Sequence, residues 1–131
     1  RAFLASNGMD TKSQCPAGSS SNCVNLSGIR EGTLQTALDT KNDCQCAVFV
    51  TGGTEGGHAA GPFSHGSGDK IDIRRNPQLD AYIQANYRAA GFRTPGDGAA
   101  IFINDRTGAT YFREGTHWDI LGYEVGRRTQ R

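Results

Sequence analysis

The chain has little of what would tie a protein to a membrane or to nucleic acid. No apolar run approaches the roughly 20 residues that a membrane helix needs, so no membrane span is expected. Fourteen Lys and Arg stand against thirteen Asp and Glu, for a net charge of +1. No basic stripe is interleaved with aromatics, which argues against a nucleic-acid partner. Histidine is scarce as well, with three in the chain. The first residue is not methionine: the chain opens Arg1-Ala2-Phe3 and reads as a processed product or as part of a larger parent protein. No signal peptide remains to be read. What is present suits one domain over 1–131, because 131 residues with 36% apolar and 21% charged side chains give a soluble chain with a modest core.

Four cysteines, Cys15, Cys23, Cys44 and Cys46, allow three pairings, and sequence alone does not choose among them. A bridge between Cys44 and Cys46, two residues apart, is strained in an extended strand. The favoured expectation is therefore that each reaches back to Cys15 or Cys23, pinning the polar loop 17–22. A four-thiolate metal site is the rival, but its spacing is wrong; free thiols are the third reading. Disulfides imply an oxidising, extracytoplasmic setting such as periplasm, cell exterior or virion.

Residues 1–28 are rich in turn formers and read as irregular. Leu34, Ala37 and Leu38 at helical spacing predict a helix over 32–43, with Thr33 as its cap. Residues 46–51 read as a buried strand, and 52–67 as a glycine loop. Residues 70–73 read as a strand with Ile71 and Ile73 on one face and Lys70 and Asp72 on the other. Asn76-Pro77 opens an amphipathic helix to about Ala90, stopped by Gly91. Strands follow over 99–103 and 109–113, joined by the turn 104–108, then a last strand over 120–125 and a basic tail 126–131. The order predicts an α+β fold, a small antiparallel sheet with helices on one side.

Two segments carry chemistry. The first is Ser64-His65-Gly66-Ser67-Gly68-Asp69-Lys70-Ile71-Asp72-Ile73, and the second is Glu114-Gly115-Thr116-His117-Trp118-Asp119. His65, Asp72 and His117 form a three-ligand set suited to one catalytic zinc per chain, with the fourth position open to water. Glu114, three residues before His117, suits a general base. Gly66 and Gly68 allow the loop to fold the imidazole over the carboxylate, and Gly115 permits a tight bend. Trp118 walls the cleft or packs under the metal.

These motifs resemble those of the zinc D-alanyl-D-alanine and L-alanyl-D-glutamate peptidases, which share the Hedgehog/DD-peptidase fold. His65, Gly68 and Asp72 fall at the positions of the motif S-x-H-x-x-G-x-A-x-D, and Glu114, His117 and Trp118 resemble the second motif. The likeness spans roughly residues 48–120. Departures accompany it: Phe63 stands at the serine position, Lys70 replaces the alanine, and the upstream arginine that holds a substrate carboxylate is missing from 51–55. The resemblance implies zinc-dependent hydrolysis of stem peptides or cross-bridges in bacterial peptidoglycan, with Glu114 as the catalytic base. It makes His58, Lys70, Arg113 and Trp118 candidates for substrate binding, although the favoured reading of His58 is a solvent-exposed loop histidine. The alternative is a catalytically weak or inactive zinc module that binds the wall or builds a virion or secretion apparatus.

Overall fold

The computed structural model describes residues 1–58 and 64–122. A seven-stranded sheet in the order β1-β2-β3-β7-β6-β5-β4 forms its frame. The strands are β1 (Asp10–Thr11), β2 (Phe49–Gly52), β3 (Lys70–Arg74), β4 (Arg88–Phe92), β5 (Ala100–Ile103), β6 (Thr110–Arg113) and β7 (His117–Leu121). All neighbours pair antiparallel except β1 and β2, so the sheet is mixed rather than purely antiparallel. Three helices complete the α+β domain: α1 (Ala2–Ser6), α2 (Glu31–Cys44) and α3 (Pro77–Asn86).

The pleat sorts the side chains. In β3, Ile71 and Ile73 are fully buried and pair with Ile120 and Trp118 of β7. This face lies under the helices: Thr40 of α2 shares a 2.7 Å hydrogen bond with the Tyr111 hydroxyl, and Trp118 Nε1 donates to Asp80 of α3 at 2.7 Å. The opposite face carries Lys70, Asp72 and Arg74, paired with Leu121, Asp119 and His117. That alternation follows from the period of two that the 70–73 segment displays.

Several expectations change. Residues 1–28 are not irregular throughout, because α1 and β1 form there and Leu4, Met9 and Val24 enter the core. Thr33 lies inside α2 rather than capping it, and its hydroxyl donates to Gly68 O at 2.8 Å. Helix α3 begins as expected, with Asn76 Oδ1 accepting from Leu79 N and Pro77 at the first turn. It ends at Asn86 instead of Ala90, since residues 88–92 hydrogen-bond to β5 as an edge strand. The last strand starts three residues early, at His117. Residues 123–125 of its expected span, the tail 126–131 and Phe63 lie outside the described residues.

The cysteines pair locally, Cys15 with Cys23 and Cys44 with Cys46, so neither Cys44 nor Cys46 reaches back to the amino-terminal pair. Helix α2 ends at Cys44, and Gln45 adopts a left-handed conformation (φ 50°, ψ 45°). That bend brings the Cα atoms of Cys44 and Cys46 to 5.2 Å, well inside the ordinary disulfide range, whereas an extended strand would place them at its upper limit. With both bridges formed and no free cysteine, the chain suits an oxidising, extracytoplasmic environment. No helix among the described residues is long and apolar enough to cross a membrane.

Candidate metal centre

The site sits on the face of the sheet opposite the helices, where His65 from the segment between β2 and β3 meets Asp72 and Asp119. Asp72 projects from β3 and is 4% exposed. It has room because β2 ends in glycine: a Cβ on Gly52 would overlap Asp72 Oδ2. The loop returns His65 over this carboxylate. Gly68 turns the chain at φ +81°, against Gly28 O, where a side chain would collide.

His65 Nδ1 lies 2.9 Å from Gly53 O, so its N–H donates there and Nε2 faces the acids. Nε2 is 3.2 Å from Asp72 Oδ1 and 3.1 Å from Asp119 Oδ1. On the other side of Asp72, His117 Nε2 is 3.7 Å from the same Oδ1. Among the described residues, Asp72 Oδ1 is buried without a hydrogen bond of good geometry, although two imidazole nitrogens approach it. Around a zinc ion at about 2.0–2.2 Å from its ligands, tetrahedral donors sit roughly 3.3–3.6 Å apart. The two spacings at Asp72 Oδ1, 3.2 Å to His65 and 3.7 Å to His117, lie close to that edge, but His117 approaches through Asp72 and is not part of the His58, His65 and Asp72 group whose donor atoms all lie within 4.8 Å of one another.

His58 joins the same cluster. One donor atom each from His58, His65 and Asp72 lie within 4.8 Å of one another, a group that could hold a metal ion. The rings of His58 and His65 stack at 3.8 Å, 18° from parallel. His58 Nε2 is 2.6 Å from Glu55 Oε2, and Glu55 is buried, accepting from the backbone N–H groups of Asn25 and Gly53. Burial opposes the charge on Glu55, but these N–H groups and His58 outweigh it and hold its pKa below the usual range.

Glu114 lies at the rim. Its Oε2 is 3.0 Å from His117 Nε2 and its Oε1 is 3.3 Å from Arg93 Nη2. Burial, the neighbouring Asp97 carboxyl and the charge of Asp119 together raise its pKa, against the pull of His117 and Arg93. A carboxylate of raised basicity beside a candidate ligand is what proton transfer near neutral pH requires.

Three residues of the site were not singled out in the sequence. Asp119 stands opposite Asp72 and bonds His65, Lys70 Nζ at 3.1 Å and Arg93 Nη1 at 3.2 Å. Its place two residues beyond His117 in a strand was the available signal, because both project to one face. Arg93 follows β4, stacks 4.4 Å from the Phe112 ring centre and is clamped by Asp97; Glu55 anchors His58. Nothing local in the sequence marks Arg93 or Glu55. Among the described residues, five carboxylates (Glu55, Asp72, Asp97, Glu114, Asp119) thus meet two fixed cations, Lys70 and Arg93. That imbalance calls for protonated imidazole or a bound cation. Without metal, His65 takes the proton. Burial lowers its pKa, but the Asp119 and Asp72 carboxylates dominate and raise it to about 10.

Two substrate-binding candidates fall away. Trp118 is fully buried on the helix side, packed under the site as the core of the sheet. Arg113 pairs with Trp118 in register, so it shares that side, and donates to Gln84 of α3. Lys70 remains near the site through Asp119, and His58 lies within it. No protein-family model, no curated protein and no solved structure matches the chain.

Proposed function

We propose that the protein is a zinc-dependent hydrolase of peptide bonds in bacterial peptidoglycan, acting on stem peptides or cross-bridges. The observation that supports the metal reading is the cluster of His58, His65 and Asp72, whose donor atoms lie within 4.8 Å of one another, about an Asp72 Oδ1 that is buried without a hydrogen bond among the described residues. Bound zinc would supply a Lewis acid that polarises a scissile carbonyl and acidifies water toward a pKa near ~7. His65 and Asp72 would hold it, with His117, which approaches Asp72 Oδ1 at 3.7 Å, as the third ligand that the motif likeness implies. Glu114 would accept the proton of the attacking water and return it to the leaving amine, a role its raised pKa suits. Lys70 and Arg93 keep Asp119 ionised beside His65, which steadies that ring. The peptidoglycan substrate and the Hedgehog/DD-peptidase fold rest on the motif likeness of the two segments. A periplasmic, secreted or virion location agrees with the disulfides.

A second reading has an observation of its own. His58 beside His65 and Asp72 offers the centre a further protein donor, and a zinc with four protein ligands is typically structural. An inactive wall-binding or virion module would have such a centre.

Digestion of purified wall peptides with and without a chelator separates the two. Chelator-sensitive release of D-alanine indicates carboxypeptidase or dipeptidase action, and a new D-glutamate amino terminus indicates endopeptidase action. Tight zinc binding with no cleavage favours the structural module.

A further inference from the structure

We propose that the cavity beside the β5–β6 turn is a binding site for a neutral saccharide. It encloses about 480 Å³ between the end of α2, helix α3 and residues 103–106, a size within the ~300–1,000 Å³ of small-molecule sites. None of its lining residues belongs to the candidate metal centre, so the inference stands apart from that reading.

The charged groups of the lining cancel. Arg88 clasps both oxygens of Asp105 through Nε and Nη2 at 2.9–3.2 Å, and Arg106 Nη2 donates to Asp43 Oδ2 at 2.7 Å. Two guanidinium groups against two carboxylates leave no net charge, so neither a phosphate nor a cation is drawn in. What the lining offers instead is a close mixture of donors and acceptors. Sugar hydroxyls, each donor and acceptor at once, satisfy such a mixture. The floor is Tyr87, 8% exposed, whose ring packs 4.9 Å from that of Tyr111 and whose hydroxyl donates to the same Asp43 oxygen at 3.0 Å. Floor and lining are thus joined before a ligand arrives, which lowers the ordering cost of binding. Tyr82, half-buried and edge-on to Tyr87 at 5.6 Å, adds the aromatic surface on which the C–H face of a pyranose can rest. Asn104 supplies an independent observation. It is 5% exposed and its Oδ1 accepts from Arg106 N at 3.1 Å, yet among the described residues no acceptor meets its Nδ2. A buried amide with a donor still to place needs a partner oxygen, and a sugar in the cavity provides one.

Proton–nitrogen NMR of the isotopically labelled protein, titrated with maltotriose and with chitotriose, tests the site. At least one of these sugars should give saturable shifts at the side-chain amides of Asn86 and Asn104 and at the backbone amides of Arg88, Asp105 and Arg106. Asp72 and Asp119 should not move. Inorganic phosphate should move none of the cavity residues. Asp105→Ala, at a position whose side chain is 60% exposed, leaves Arg88 without its carboxylate and the lining with an excess positive charge. Saccharide binding should then weaken at least about 10-fold, as for loss of a charged hydrogen-bonding group, and phosphate should shift the Arg88 amide. Saturable phosphate shifts at the cavity of the unaltered protein, with the sugars silent, would overturn the assignment in favour of an anion site. Millimolar concentrations of both sugars that move nothing, or only residues outside the cavity, would overturn it as well.

Discussion

Asp72 on β3 and Asp119 on β7 stand directly opposite each other in the strand pair, both almost wholly buried. Like charges so placed repel. Asp119 is compensated by Lys70 and Arg93, and its pKa falls well below the usual range, burial being outweighed by His65 and Lys70. Among the described residues, no lysine or arginine pairs with Asp72. The imidazole nitrogen of His65 is what the two acids share.

Removal of that imidazole should therefore weaken the metal-free fold. His65→Ala leaves two buried carboxylates without their common partner, and a cost of about 3–5 kcal/mol is expected for breaking a buried pair from one side. Urea unfolding of the metal-free proteins gives the value. An unchanged midpoint would mean that the His65 contacts carry no energy.

The same residue would make the proposed metal binding depend on pH. Its folded pKa of about 10 lies above the ordinary value near ~6.5. The stabilisation it contributes to the metal-free protein is thus complete below that ordinary value and disappears as pH rises through about 10. Zinc needs the neutral ring, so apparent zinc affinity should climb with pH from 6 to 9, by up to about tenfold per unit for one displaced proton. Calorimetric titration across that range, with proton release measured in buffers of different ionisation enthalpy, tests it. A pH-independent affinity would contradict the expectation.

Glu114→Gln should retain zinc at one equivalent per chain and lose at least a factor of ~100 in peptide hydrolysis, the usual range for a general base. Metal analysis and rate are measured on the same preparation. Full activity in the variant would reassign the base.

Gly52→Ala tests the backbone rather than the ligands. The added methyl collides with Asp72 Oδ2 and pushes the carboxylate out of line, so zinc affinity should fall by about 10–100-fold, as for a lost supporting contact. Far-ultraviolet circular dichroism should show the sheet intact.

Much of this was local and therefore readable along the chain. The alternation of Lys70, Ile71, Asp72 and Ile73 assigns the isoleucines to the core and the acid to the opposite face, since successive strand residues point to opposite sides. The same rule separates His117 and Asp119 from Trp118, which the motif likeness had drawn toward substrate. Asn76-Pro77 starts a helix because the asparagine caps it and the proline needs no partner for a missing N–H. The reach of α3 was misjudged because residues 88–92 are drawn off by hydrogen bonds to β5, a partner that helical periodicity does not reveal.

By itself, then, the amino-acid order determined which side chains share a face within each short segment, and it supplied the imidazoles and carboxylates of the centre. Only the tertiary structure decided which segments meet. The register of β3 against β7 set Asp119 opposite Asp72, the turn after β4 delivered Arg93 to Glu114, and Glu55 in the glycine loop took hold of His58. A left-handed Gln45 closed Cys44 on Cys46. Periodicity is a property of consecutive residues, whereas strand register and loop closure balance long-range contacts against chain entropy, and no local pattern records that balance.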